Sequence, residues 1–268
     1  MQRFAAFAPP DHFTGSSTEP HTTSPLWSMP DHTGENYRTI LQRFHQVFRP
    51  ETYLEIGVEN GTTLEFATCA SIGIDPAYRI TQPITDNKPA CLLYRTSSDL
   101  FFKHQDPSGI FGQPIDMAFL DGMHWFEFLL RDFINVEKHC KPNSIVLIHD
   151  CIPTDSHAAR RDPNDHRLRE LSHNPDWWAG DVWKVIAMLA KYRPDLKILA
   201  FDAVPTGLIA VTNLDARSTT LADRYFDMVE EYRDQTLADA GPAYLDRLRI
   251  ADTQRYASHE ALSSLFWL

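Results

Sequence analysis

Between residues 52 and 213 the chain alternates short, continuously apolar runs with amphipathic stretches, and this rhythm restricts the available folds more than any other feature. Strand-like runs stand at 52–57, 71–75, 91–94, 115–121 and 144–150. Strands that are apolar on both faces belong to a parallel sheet covered by helices on either side. Helical spacing is visible in Tyr37, Ile40, Leu41, Phe44 and Phe48, until Pro50 stops it, and again over 125–139 and 181–192. Two last strands, 197–203 and 207–213, are joined only by Val204-Pro205-Thr206. So short a link allows nothing but an antiparallel hairpin, with Gly207 easing the turn. The order predicts an α/β fold: a doubly wound, Rossmann-like, seven-stranded sheet closed by a terminal antiparallel hairpin.

Three segments interrupt this rhythm. Residues 1–34 are rich in Pro, Ser, Thr and His, and read as a flexible tail or an arm that folds over a site, since Phe4, Phe7, Phe13 and Trp27 are adhesive for a tail. Residues 151–180 are polar and too long for a plain connection, which suggests a substrate loop within a domain spanning 35–213. Residues 214–268 form a helical extension, and the final Leu265-Phe266-Trp267-Leu268 suggests a buried contact within the chain or with a second copy in a homo-oligomer.

Composition narrows the partners. With 25 Lys and Arg against 36 Asp and Glu, the 268-residue chain carries a formal charge of −11, which opposes binding of nucleic acid by general attraction while leaving room for a local basic pocket. No run reaches the roughly 20 apolar residues of a membrane span, and the start lacks a basic region followed by an apolar one, so a cytoplasmic protein is expected. Cys69, Cys91, Cys140 and Cys151 are scattered and read as reduced thiols.

Ligands of open parallel sheets bind beyond the carboxyl ends of the strands. The first strand ends in Glu55-Ile56-Gly57-Val58-Glu59-Asn60-Gly61-Thr62. Gly57 and Gly61 would let backbone approach a ligand, and a following helix would offer free N–H groups. The spacing is neither the dinucleotide pattern nor a P-loop. The second strand ends in Asp75, which can accept both hydroxyls of a ribose. Together these features point to a nucleoside-containing ligand. A second constellation joins Asp121 and His124, after the fourth strand, to His149 and Asp150, at the end of the fifth. Neighbouring strands lie about 4.8 Å apart, so both carboxylates can reach one ion. His124 suits a base near neutral pH; the alternative is that it caps the next helix or pairs with Asp132.

These runs, with Ile74-Asp75, Asp116–Asp121-Gly122-Met123-His124 and Ile145–Asp150, resemble class I S-adenosylmethionine-dependent methyltransferases, in the methyltransferase type 24 family of small-molecule O-methyltransferases. The resemblance implies that Glu55, Gly57, Gly61 and Thr62 border the methionine part of S-adenosylmethionine, that Asp75 holds the ribose, and that Ser97 and Ser98 contact the adenine, unless they merely cap a helix. It implies a divalent metal held by Asp121 and Asp150, with His149 as a ligand or behind one. Magnesium prefers oxygen, whereas manganese or iron tolerates imidazole. It also places His124 where catechol-type relatives carry a lysine base. One departure is Glu59, where many class I enzymes carry glycine. The implied activity is metal-assisted methylation of a hydroxyl on a small molecule such as a sugar, diol or catechol-like natural product. Hydroxylase-labelled relatives, a nicotinamide-dependent oxidoreductase, or a non-catalytic cofactor-binding module remain the alternatives.

Overall fold

The structure is a computed structural model that describes residues 26–266. Helix α1 (Tyr37–Phe48) leads into β1 (Thr52–Ile56), β2 (Ala70–Ile74) and β3 (Cys91–Tyr94). Helices α2 (Ser98–His104) and α3 (Pro107–Phe111), β4 (Ile115–Leu120), α4 (Phe126–Glu137), β5 (Cys140–His149) and α5 (Trp183–Tyr192) follow. The hairpin is β6 (Lys197–Phe201) and β7 (Leu208–Thr212). The extension holds α6 (Thr220–Asp223), α7 (Tyr225–Tyr232), α8 (Leu237–Arg247), β8 (Ile250–Ala251) and α9 (His259–Ser263).

One sheet runs β3-β2-β1-β4-β5-β7-β6-β8. Strands β1 to β5 are parallel, and β7 is antiparallel to both neighbours. The expected seven strands are therefore present, and an eighth, only two residues long, adds to the outer edge beside β6. A strand that short leaves no period in a sequence.

Alternate side chains feed two cores, one on each face. Leu54, Ile56, Ile74, Leu120, Val146 and Ile148 pack beneath α4 and α5. Tyr53, Phe119, Leu147 and Phe201 pack beneath α1 and α9. Asn36 caps α1 by accepting from Arg38 N, and Arg49, in the left-handed region, ends it. Phe266 closes on Phe44 and Phe48, with ring centroids 5.6 and 5.0 Å away, so the terminal apolar run is spent at least partly within the chain. Trp267 and Leu268 lie outside the described residues, as do Phe4, Phe7 and Phe13.

Two connections depart from expectation. No α-helix follows β1: a 3-10 turn, Leu64–Phe66, stands there, and β2 reaches β3 through turns alone. The reason is local, because Thr62 bonds Asn60 and the Thr63 hydroxyl bonds Glu55, and such side-chain bonds compete with helix formation. The 151–180 insert contains only one 3-10 turn, Arg169–Leu171. Residues 27–32 hold it: Met29 N donates to Thr154 O, Ser156 N to Trp27 O, and His32 Nε2 bonds Ile152 O. Among the described residues no helix is long and apolar enough to cross a membrane, and all four cysteines are unpaired.

Candidate functional site

The parallel register brings the ends of four strands to one edge. Ile56 pairs with Ile74 and Leu120, and Leu120 with Ile148, so Gly57, Asp75, Asp121 and His149 follow side by side.

On the β1 and β2 side, Glu55 is fully buried, and its carboxylate accepts from the Tyr53 hydroxyl at 2.7 Å and the Thr63 hydroxyl at 2.8 Å. Burial outweighs these donors and pushes it up to about 8. Gly57 and Gly61 have φ of +92° and +88°. A Cβ on Gly57 would stand 2.0 Å from Asp121 O, and one on Gly61 would stand 2.5 Å from the Ile84 side chain. Both glycines are thus required by packing within the chain, whatever else they border. Glu59 has φ of +47°, which explains why glycine suits its position: an L-residue there costs roughly 1–2 kcal/mol. Its N–H donates to Asp75 Oδ2 at 2.8 Å, and Ala77 N donates to Asp75 Oδ1 at 2.6 Å. Thr62 bonds Asn60. Ser97 takes the capping role, accepting from Leu100 N at 3.4 Å, while Ser98, on α2, faces the buried Asp132 of α4. Asp132 is pushed up to about 7 by burial, and among the described residues its Oδ1 has no hydrogen-bond partner.

On the β4 and β5 side, four side chains converge. His124 Nε2 lies 3.2 Å from Asp150 Oδ2 and 3.6 Å from Asp121 Oδ1. His149 Nδ1 lies 3.3 and 3.4 Å from the same two oxygens. Asp150 reaches back because its φ is +63°, a conformation that aspartate tolerates better than most residues. The Thr206 hydroxyl, brought beside it by the β5–β7 register, donates to Asp150 Oδ1. Asp121, His124 and Asp150 each offer one donor atom within 4.8 Å of the others, so the compact trio contains His124, with His149 against the same carboxylate oxygens.

The hydrogen bonds around this cluster define its needs. His124 Nδ1 lies 3.1 Å from Trp178 O, and a carbonyl can only accept, so Nδ1 carries a proton. Nε2 then turns its lone pair toward two carboxylates, an arrangement that requires either a second proton or a cation between them. Protonated, the imidazoles fit: burial lowers His124, but Asp150 and Asp121 raise it to about 9, and His149 similarly reaches about 10. Against burial, the same imidazoles hold Asp121 and Asp150 below the usual carboxylate range. Two carboxylates and two imidazoles are also a donor set that suits a divalent ion such as manganese or iron, and one less suited to magnesium.

His124 neither caps α4 nor pairs with Asp132. The α4 N-terminus is instead served from after the insert, where Asp181 Oδ1 accepts from Phe126 N. Tyr37 carried no signal as a site residue, whereas Trp178 and Gly180 belong to the insert expected to form a substrate loop. Tyr37 stacks on His149 at 3.9 Å, Trp178 lies 5.0 Å from the His124 ring, and Gly180 would place a Cβ 1.9 Å from His124 O. Trp178 of the insert thus borders the site, while Trp183, at the start of α5, is buried in the core.

Residues 54–151 match the model of the methyltransferase type 24 family, described as a methyltransferase domain. Among solved structures, the O-methyltransferase TomG from Streptomyces achromogenes, involved in tomaymycin synthesis and in complex with SAM, is 15% identical; the match covers 67% of this chain and 80% of that one, with a TM-score of 0.48. An O-methyltransferase from Bacillus cereus in complex with SAH is 14% identical over 68% and 84% of the two chains, at a TM-score of 0.43. The SAH-bound methyltransferase PaMTH1 from Podospora anserina is 13% identical over 67% and 78%, at 0.45. No curated protein matches the chain.

Proposed function

Since residues 54–151 carry a methyltransferase domain of the type 24 family, we propose that the chain moves the methyl group of S-adenosylmethionine to a hydroxyl of a small molecule, with a divalent metal assisting. The observation that carries this reading is the convergence of His124 Nε2 and His149 Nδ1 on the carboxylates of Asp121 and Asp150.

A divalent ion between Asp121 and Asp150 would lower the energy needed to deprotonate an acceptor hydroxyl. His124 would take that proton at Nε2, which a cation held by the two carboxylates would leave unprotonated: Nδ1 is committed to Trp178 O, and the ring keeps 23% of its surface exposed. His149, only 7% exposed and stacked under Tyr37, orients the carboxylates. Thr206 fixes the second oxygen of Asp150. The sulfonium donor is already activated, so the chain chiefly has to align donor and acceptor. Glu59 N and Ala77 N orient the Asp75 carboxylate for the cofactor ribose, and Gly57 to Thr62 form the turn along its methionine part. Vicinal hydroxyls, as in a sugar, diol or catechol, suit a site built around one cation. Among the described residues no helix is long and apolar enough to cross a membrane; a cytoplasmic setting is part of this proposal.

Calorimetric titration with S-adenosylmethionine, S-adenosylhomocysteine and NADH, with and without manganese or magnesium, tests the reading. Binding of the first two is expected; a preference for NADH would overturn it. Unchanged metal-dependent turnover in Asp121→Asn and Asp150→Asn would overturn the role of the metal.

A further inference from the structure

A cavity of about 450 Å³ opens between the 151–180 insert, the start of α5 and the turn from α7 to α8. None of Asp121, His124, His149 and Asp150 lines it. Its volume falls within the usual range of small-molecule pockets. In a chain of charge −11, this wall is basic: it holds Arg160, Arg161, Arg167, Lys184 and Arg233 against three carboxylates.

Most of these cations are already matched. Arg167 pairs with Asp165 at 2.5 Å, and Arg161 and Lys184 share Asp181 at 2.8 and 3.1 Å. Among the described residues Arg233 pairs with Asp234 alone, at 3.8 Å, and is 61% exposed. Arg160 differs in kind. Its guanidinium donates to the backbone carbonyls of His157, Trp177 and Pro163, at 2.7–3.2 Å, and among the described residues no carboxylate forms an ion pair with it. Carbonyls fix its position and satisfy four of its five N–H groups, while Asp165, Asp155 and Asp162 act on its charge without pairing with it.

We propose that this cavity binds a small molecule bearing an oxyanion, phosphate or carboxylate. The oxyanion sits at Arg160, with Arg233 as the exposed second cation. A rigid guanidinium with no direct ion pair among the described residues favours an anion, because no existing ion pair has to break. The assignment stands independently of methyl transfer, since it uses none of the residues given to that reaction.

The test is calorimetric titration of the full chain, without cofactor, using inorganic phosphate, glucose 6-phosphate and citrate. Saturable 1:1 binding is expected, weakened by salt for every probe. A lead by glucose 6-phosphate identifies a phosphate ester as the ligand class; a lead by citrate identifies a carboxylate. Arg160→Gln should weaken binding about tenfold. Because Arg160 also ties the insert together, Arg233→Gln, at an exposed position, serves as the second variant and should weaken binding about threefold. Asp121→Asn should leave the affinity unchanged. No saturable binding of any of the three probes would overturn the proposal. So would binding that survives both arginine variants, or binding that is lost in Asp121→Asn.

Discussion

The two halves of the sheet edge hold similar residues in opposite states. Beside β1 and β2, the polar groups are matched by the chain itself: Asp75 by two backbone N–H groups, Glu55 by two hydroxyls, Thr62 by Asn60, Ser97 by Leu100 N. Beside β4 and β5, acceptors face acceptors, and Asp121, Asp150, His124 and His149 are reconciled only by extra protons or a cation. A carboxylate at a strand end is therefore not one kind of group. Its neighbours decide whether it is a structural brace or a candidate ligand.

The sharpest break of this comparison comes from Asp121→Asn or Asp150→Asn, each expected to lower kcat/KM at least roughly a hundredfold and to abolish the response to added metal. Radiolabelled methyl transfer with and without a chelator reads both effects. His124→Ala should lower kcat about a hundredfold while leaving cofactor affinity unaltered, a split that a purely structural residue would not give. The matched half should answer through stability. Glu55 is raised in the folded state to about 8, so between its ordinary value and 8 the native chain binds a proton that the unfolded chain has lost. Stability from this group is thus present at low pH and lost as pH rises toward 8. Denaturant unfolding of Glu55→Gln should show a shallower loss between pH 5 and 8 than the parent, and an equal slope would remove Glu55 from the account. Asp75→Ala is expected to weaken S-adenosylmethionine binding about tenfold with kcat nearly unchanged. Smallest is Tyr37→Phe, which keeps the stacked ring on His149 and should hold activity within about twofold, whereas Tyr37→Leu should cost about threefold to tenfold.

The strand order and the hairpin were legible because apolar runs and a three-residue link leave few topologies. Asp121 and Asp150 were legible for the same reason, since neighbouring strand ends bring them together whatever the side chains do. His124 was legible as a chemical group, but its neighbours were not. Trp178, which fixes its tautomer, and Thr206, which holds Asp150, lie 54 and 56 residues away and reach the site only through the insert and the antiparallel register. Gly57 and Gly61 invited a ligand in the sequence, yet the strand ends and Ile84 already require them to be small. The helix expected after Gly61 gave way to local threonine bonds that no period reveals.

The clasp of residues 27–32 on the insert also bears on the order of events in folding. Its bonds join residues 120, 129 and 143 positions apart: His32 to Ile152, Trp27 to Ser156, and Asp31 to Asn174. Contacts that distant close slowly, and this set needs the parallel strands already in place. The sheet can therefore exist before the loop that carries Trp178 is positioned against His124. A chain emerging from synthesis would hold its carboxylates at the edge first, and gain the Trp178 partner of His124 last.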